Sequence, residues 1–344
     1  MKHILIIAAG LFCLNCTLHA QSSSNHIFQV MNLAVSPRVA SFGGNFLPLQ
    51  DKDVLLALHN PATIDTDLHN ALGFTFLNYP AGINAGNVVY GRTFERYGSF
   101  VGGIRYLNYG TFDRTDDAGN AGGSFTASDI VITAGWGRSI FRDIRMGAAL
   151  NVMISDYDVW SSVALGVDVS GHYHSPSGLF DASLVVRNVG RQIIRFGDEN
   201  EPLPFEVAAG ISRKLKHAPV RFYVLLNTLN QWDLTYNDPL NPDYTVDPIT
   251  GKVIEESKTV DFLDKAMRHV TGGIELMPGN LLRVRLGYDY RTRQESGVQT
   301  KMGLAGFTWG LGLKLGKYQF DFSRSRQHLA GAPNYFSIRT VLGG

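Results

Sequence analysis

Cysteine is almost absent from this chain of 344 residues, and both copies, Cys13 and Cys16, lie close to the N-terminus. If that end is removed during export, the remaining chain has no disulfide and no thiolate that could bind a metal or act as a nucleophile. A lipoprotein would carry lipid on such a cysteine but needs a small residue just before it. Phe12 and Asn15 occupy those positions, so we do not expect lipidation.

Charge and long apolar runs are also scarce. Charged residues make up 18% of the chain and the formal net charge is +1, so no positive field would attract nucleic acid. After residue 20 the sequence has no stretch of 18 apolar residues, which argues against helical membrane spans. A Gly-x-Ser-x-Gly elbow, a phosphate-binding loop and a dinucleotide fingerprint are all missing. We therefore expect no enzyme, no cofactor and no nucleic-acid partner.

The N-terminus has the pattern of a secretory signal peptide. Lys2 gives the positive start, Ile4 to Leu14 is apolar, and Leu18-His19-Ala20 provides a small residue at the cleavage point. The apolar run is shorter than the roughly 20 residues of a spanning helix, which disfavours a permanent anchor. We predict cleavage after Ala20, so that 1–20 is lost.

Alternation of apolar and polar residues with period two dominates the rest of the chain. In 144–154 the residues Ile144, Met146, Ala148, Leu150, Val152 and Ile154 form one row, and the opposite row carries Arg145, Gly147, Ala149, Asn151 and Met153. This pattern predicts fourteen strands, over 69–79, 83–94, 98–109, 125–138, 143–155, 158–173, 179–189, 204–215, 219–231, 269–277, 281–291, 303–315, 317–324 and 334–342. Many run over 10–15 residues, whereas ordinary strands average roughly 5–6.

The connections are sorted by length. Every gap after an even-numbered strand is short, and the long gaps, 110–124, 190–203, 232–268, 292–302 and 325–333, all follow odd-numbered strands. Short periplasmic turns and longer external loops are typical of outer-membrane barrels. We predict an all-β fold: a 14-stranded antiparallel transmembrane β-barrel over 69–344, with apolar rows facing outer-membrane lipid and polar rows facing the lumen. The preceding segment, 21–68, is predicted to form a hatch or plug.

Two places could carry binding chemistry. His172 and His174 point to one face and could share a metal, but no third ligand is identifiable, so no metal site is predicted. The inward arginines could bind an anion, but such residues more often pair with neighbours such as Asp289 or with a plug. These arginines are Arg145, Arg283, Arg285 and Arg291.

The predicted hatch contains an ordered set of turn-forming residues around a short apolar helix at 54–58: Pro37, Ala40, Gly43, Gly44, Asp53, Asn60, Pro61 and Ala62. This order resembles the hatch of FadL-like outer-membrane proteins, and more closely that of PorQ-like members of the PorV/PorQ branch in Bacteroidetes. The resemblance implies a non-catalytic role in the type IX secretion system, holding a PorZ-like surface protein of the attachment complex. One departure is the final Gly344, where many outer-membrane proteins end in Phe.

The 37-residue loop 232–268 is long enough to bind a partner. The candidate contact residues are Tyr236, Asp238, Asp243, Tyr244, Phe262 and Leu263, and 260–267 could form a short amphipathic helix on the rim. The loop acids, which also include Asp233 and Asp247, could bind calcium, but turn-forming acids are the plainer interpretation because no EF-hand spacing is present.

Two other functions remain open at this point. A FadL-like transporter of hydrophobic molecules would have the same plug and would need an apolar path past it. An outer-membrane lipid hydrolase would need a Ser/His/acid set near the rim, and no persuasive set is visible.

Overall fold

The computed structural model describes residues 27–43, 46–116, 120–197, 200–235, 245–246, 253–254, 258–296, 304–325 and 331–343. Fourteen antiparallel strands form a closed barrel in which each strand pairs with its sequence neighbour among them, and the first strand pairs with the last from Ala71↔Val341 to Asn78↔Asn334. We number them β1 to β14: Ala71–Asn78, Asn84–Phe94, Gly98–Thr115, Ala121–Ser139, Ile144–Tyr157, Trp160–His174, Phe180–Ile194, Glu206–Lys214, Val220–Leu226, Val270–Leu276, Leu282–Asp289, Phe307–Leu315, Tyr318–Ser325 and Asn334–Val341. The predicted fold class is confirmed.

In the described part of the chain the helices are few and short. They are α1 (Pro37–Ala40), α2 (Lys258–Arg268) and α3 (Tyr290–Glu295). There are also 3-10 turns at Gln29–Asn32, Val54–Leu58, Pro61–Thr63, Thr66–Leu68 and Pro80–Gly82. Thr245–Val246 and Val253–Ile254 pair as a separate small hairpin. Within the described residues, none of the helices has both the length and the apolar content needed to cross a membrane.

The two faces of the wall differ as the alternation predicts. On β5, Met146 and Leu150 are exposed on the outside, whereas Ala149, Asn151 and Ser155 are buried inside. The outer rows of the other strands likewise expose large apolar side chains, many of them aromatic. Such a surface would be poorly solvated by water and is suited to hydrocarbon, where a closed ring of strands leaves no backbone group unpaired.

Three predicted boundaries are wrong in informative ways. Residues 110–124 were expected to be a loop, but β3 and β4 extend through most of them, with Phe112 stacked on Phe125 at 5.3 Å between ring centroids. The expected strand 219–231 ends at Leu226, because Thr228 adopts a left-handed φ of 53°. The expected strand 281–291 ends at Asp289, whose side chain caps α3 by accepting from Thr292 N.

Candidate functional site

The segment 27–68, which we call the plug, lies against the inward side chains of the barrel. Its apolar residues form the core of the molecule, including Val39, Phe42, Leu55 and Leu58. They pack on inward residues of several strands, such as Tyr223, where the ring centroid lies 4.5 Å from that of Phe42. The functional site therefore has to be sought where this segment meets the wall.

The Pro37 region begins the plug's central turn. Pro37 occupies the first position of α1, and the Ser36 side chain caps it by accepting a 3.3 Å hydrogen bond from Val39 N. After α1, Thr308 on β12 donates to the Ser41 carbonyl at 2.6 Å. Gly43 follows with φ of 93°, a conformation in which glycine is least strained. Gly44 lies outside the described residues.

Asp53 joins the plug to the wall through ion pairs. Its Oδ2 atom lies 2.7 Å from Arg339 Nη1 on β14 and 3.6 Å from Arg38 Nη1 within the plug. Its other oxygen, Oδ1, accepts a 3.2 Å hydrogen bond from Leu55 N and so caps the 3-10 turn Val54–Leu58. One side chain thus forms a local turn and fixes it to the last strand.

The ion pairs continue along the wall. Arg339 Nη2 lies 2.9 Å from Asp321 Oδ2, Arg285 bridges Asp321 and Glu275 at 2.7 and 2.8 Å, and Arg38 Nη2 is 3.3 Å from Glu275. Arg38 also pairs with Asp51, and Tyr223 donates to Glu275 at 2.8 Å. All these groups except Asp51 are buried.

We call this set the lumenal ion network. It contains three arginines and four carboxylates: Arg38, Arg285, Arg339, Asp51, Asp53, Glu275 and Asp321. A buried pair adds little stability over an apolar contact, but removing one partner strands the other charge at a cost of roughly 3–5 kcal/mol. The network therefore connects the plug to β10, β11, β13 and β14.

The Asn-Pro-Ala turn meets the opposite wall. Asn60 Nδ2 donates to Ser183 Oγ at 3.1 Å, and Ala62 N donates to Ser170 Oγ at 2.7 Å. Pro61 lies against Gly147 so closely that a Cβ added at Gly147 would be 2.2 Å from the Pro61 carbonyl carbon. Because Gly147 has no side chain, the turn can pack directly against the wall.

An apolar chamber lies inside the barrel toward the longer loops. Inward residues of β3 to β6 are apolar there, and Phe28 and Met31 of the plug fill the space between them. All of these residues are buried: the chamber is lined by Leu107, Val131, Met153, Ala164 and Leu203, and the plug residues packed in it are Phe28, Val30 and Met31. Lumens of outer-membrane barrels are usually polar. Here the inward face is apolar at this patch and also around Phe42 and Leu55, where the rest of the plug packs on it.

The structure places a third potential metal ligand, Asp181, beside His172 and His174. The sequence alone did not identify this residue. Asp181 Oδ1 lies 3.2 Å from His172 Nε2 and 2.6 Å from His174 Nδ1. Its Oδ2 atom accepts a 2.6 Å hydrogen bond from Arg221. Sequence reasoning missed Asp181 because it lies on the neighbouring strand, and only the register Tyr173↔Ala182 and His174↔Asp181 brings it alongside.

The other inward arginines are engaged in separate contacts. Arg145 Nη2 donates to the Ile64 carbonyl of the plug at 2.6 Å, and Arg283 donates to backbone carbonyls of its own turn. Arg291 lies on α3 and pairs with Glu295, so its expected place on an inward strand row is wrong. Asp289 caps α3, and the partners of Arg285 are Glu275 and Asp321.

The long loop is described in part. Tyr236, Asp238, Asp243 and Tyr244 lie outside the described residues, as does Asp247. Phe262 and Leu263 lie on α2 and are 57% and 55% exposed, so both are available to a partner.

Helix α2 also packs on the rim. The Phe262 ring lies 5.3 Å from that of Trp232, and Lys265 Nζ lies 3.0 Å from Asp233 Oδ2. Hydrogen bonds from Thr235, together with Lys265, lower the pKa of Asp233 to about 2. Asp233 thus helps to hold the helix in place.

Comparisons with known proteins agree on the fold. No protein-family model matches the chain, and no curated protein matches it significantly in sequence. A solved structure of a TodX deletion mutant, a monoaromatic hydrocarbon channel, superposes with a TM-score of 0.50 at 9% identity over 89% of this chain and 97% of that one. Two others reach lower scores: the Pseudomonas putida toluene transporter TodX, with 0.49 at 11% identity over 89% and 96%, and a Pseudomonas aeruginosa FadL homologue, with 0.46 at 9% identity over 89% and 97%. At such low identity the match that reaches 0.50 shows similarity of the barrel fold alone.

Proposed function

We propose that this protein is an outer-membrane barrel that admits hydrophobic small molecules, with the plug as its gate. The observation that carries this proposal is the apolar chamber on the inward faces of β3 to β6, which Phe28 and Met31 fill and which is separate from the larger apolar core that packs the rest of the plug. An apolar solute passing through the barrel would gain about 25 cal/mol for each Å² of apolar surface that it removes from water there.

The outer surface supports a place in the membrane. Its exposed apolar rows match the lipid face that the sequence predicts, and the order of short turns and longer loops favours the usual orientation, with the turns in the periplasm. We infer that a signal peptide ending at Ala20 directs export, a segment that lies outside the described residues. The expected domain limits of the hatch, 21–68, remain part of this proposal.

Passage would require the N-terminal part of the plug to move. A cavity of about 20 Å³ lies near the chamber, beside Val30 and Leu33, and it is too small for an organic molecule. Phe28 and Met31 occupy the volume that an apolar ligand would take. Ligand and plug should therefore compete, and weakening the plug's hold on the chamber should favour the ligand.

Binding of an apolar fluorescent probe to the purified barrel tests this competition. We expect saturable binding, tightened several-fold by Phe28→Ala, which vacates part of the chamber. Gln29→Ala is the matched control because Gln29 is the exposed neighbour in the same turn. Cells whose outer membrane carries Phe28→Ala should also take up a hydrophobic compound faster. Probe binding that neither saturates nor differs between the two variants would contradict the proposal.

A second candidate function is supported by one observation on the outside. Phe262 and Leu263 expose apolar side chains side by side on α2, with Met267 one turn away at 42% exposure. Such a patch fits a protein partner. Together with the resemblance of the hatch, it favours docking of a PorZ-like surface protein in a type IX secretion system.

Pull-down from native outer membranes separates the two functions. Docking predicts that the tagged protein captures a surface protein and type IX components, and that the double variant Phe262→Ser/Leu263→Ser releases them. Val159→Ser is the control, because Val159 is 75% exposed in the turn between β5 and β6, away from α2. Capture that survives the double variant would exclude α2 as the docking site. A defect in uptake with no type IX partner would leave the transport function alone.

A further inference from the structure

A cluster of three potential metal ligands lies where the ends of β6 and β7 meet the short turns. His172, His174 and Asp181 each direct one ligating atom toward the others, and these atoms lie within 4.8 Å of one another. They form the one such group of three among the described residues. None of them belongs to the apolar chamber or to the lumenal ion network.

We propose that His172 Nε2, His174 Nδ1 and Asp181 Oδ1 bind a divalent transition metal, with zinc as the best match. Two imidazole nitrogens and a carboxylate oxygen are a common zinc ligand set, with the fourth position left to water. Bonds of about 2.0–2.2 Å in a tetrahedron place neighbouring ligands roughly 3.3 Å apart. The separation of 3.2 Å between His172 and Asp181 already suits this geometry.

Only His174 has to adjust. Its Nδ1 atom is 2.6 Å from Asp181 Oδ1, a hydrogen bond that the metal would replace. Its side chain is 36% exposed and can therefore adjust toward a bound metal, whereas the side chains of His172 and Asp181 are fully buried. The site thus combines two fixed ligands with one mobile ligand.

The outer contacts of the ligands are those of a metal site. His172 Nδ1 lies 2.7 Å from Ser183 Oγ, so the ring is held with Nε2 facing Asp181. The far oxygen of Asp181 accepts from Arg221 at 2.6 Å and from Ser212 at 3.4 Å, which leaves Oδ1 for the metal. Arg221 also reduces the negative charge at the site, which limits the affinity for a cation.

The site has a route to solvent and a link to the plug. A polar cavity of about 260 Å³ beside His174 also touches Ser175, Arg145 and Gln50. Ser183, which orients His172, also accepts from Asn60 in the plug's Asn-Pro-Ala turn. A bound metal would therefore be connected to the seated plug through the His172 ring and the Ser183 hydroxyl group.

Titration calorimetry on the mature, tag-free protein in detergent, stripped with a chelator, tests the site with zinc chloride. We expect one zinc ion per chain. His174→Ala should weaken binding at least 100-fold, and Ser183→Ala should weaken it about 10–100-fold as an outer contact. His217→Ala, an exposed histidine in another short turn, should have no effect.

Cobalt(II) provides a second measurement. It should give the intense visible absorption of tetrahedral coordination in the wild type and in His217→Ala, and lose it in His174→Ala. Because the described side-chain hydrogen bonds of His174 consist of one bond to Asp181, we expect this variant to keep the barrel fold, which its heat resistance will verify. Equal zinc binding in His174→Ala and His217→Ala would overturn the proposal, as would the absence of binding to the wild type. The histidines would then be a hydrogen-bonded structural pair.

Discussion

Arg339 Nη1 on the last strand lies 2.7 Å from Asp53 Oδ2 on the plug, and both side chains are buried. The contact joins the plug, near the N-terminal end of the described chain, to β14, the last strand, which closes the ring. Because β14 pairs with β1, which directly follows the plug, seating the plug and closing the barrel are physically linked.

Loss of Arg339 should cost more stability than loss of Asp53. Arg339 pairs with both Asp53 and Asp321. Arg339→Gln removes this cation, so the network is left with four carboxylates and two arginines. Asp53→Asn brings the network to three of each and keeps the oxygen that caps Leu55. We expect about 3–5 kcal/mol for Arg339→Gln and clearly less for Asp53→Asn.

Unfolding in denaturant, from a lipid or detergent environment, measures both losses. The double variant Asp53→Asn/Arg339→Gln should cost less than the sum of the single variants, since the two residues interact directly. Strict additivity would contradict a direct pair.

Gly147 should be intolerant of any side chain. In Gly147→Ala the new Cβ would lie 2.2 Å from the carbonyl carbon of Pro61, a backbone atom that cannot move alone. The turn would lift off the wall, and the Ala62–Ser170 hydrogen bond would be lost. Protease digestion of the folded barrel should then cut the plug faster. Gly171→Ala on the adjacent strand is the control, because nothing lies within 4 Å of its new Cβ. Equal digestion of both variants would show that the plug does not rest on β5.

A charge on the outer face should destabilise the barrel in a lipid bilayer. Leu150 points outward near the middle of β5 and is 47% exposed. Leu150→Arg should cost about 2–4 kcal/mol of folding free energy in lipid vesicles. Leu229→Arg, beyond the end of β9, should cost little because its position is on the rim. Similar costs at the two positions would argue against a hydrocarbon belt.

The hold of Asp233 on helix α2 should weaken in acid. Hydrogen bonds lower the folded pKa of Asp233 to about 2, below the unfolded value of about 3.9. A depressed carboxyl pKa stabilises the folded state above the unfolded pKa, and this contribution fades as pH falls from about 4 to 2. Asp233 is half exposed, so the effect should be small. The protection of α2 amides against hydrogen exchange, after correction for the pH dependence of intrinsic exchange, should fall across that window, and Asp233→Asn should show lower protection already at neutral pH. Protection of α2 that stays constant through the window in the wild type would contradict this assignment.

The sequence predicts the wall better than the lumen. Period-two alternation fixes which side of β5 faces outward, because a buried and an exposed row differ at every step. The pairs of the lumenal ion network are not predictable in the same way, since Glu275, Asp321 and Arg339 are far apart in sequence and meet only when the ring closes. Asp181 was overlooked for a different reason, because only the register of β6 and β7 places it beside the histidines.

Boundaries depend on local chemistry that alternation does not report. The polar, glycine-containing residues 110–124 suggest a loop, yet β3 and β4 continue because their hairpin keeps pairing past a bulge between Asn108 and Gly110. Conversely, Arg291 continues the alternation of β11 by its residue type, but the cap provided by Asp289 starts a helix instead.

Lipid-borne quenching of single fluorescent labels on β5 tests the central claim most directly. Labels are attached to cysteines introduced one at a time at Met146, Leu150, Asn151 and Ser155, after reconstitution of the mature chain in vesicles. If the wall faces hydrocarbon and the lumen is plugged, we expect a lipid-attached quencher to quench the labels at 146 and 150 strongly and those at 151 and 155 weakly. Equal quenching at all four positions, or quenching only by an aqueous quencher, would contradict it.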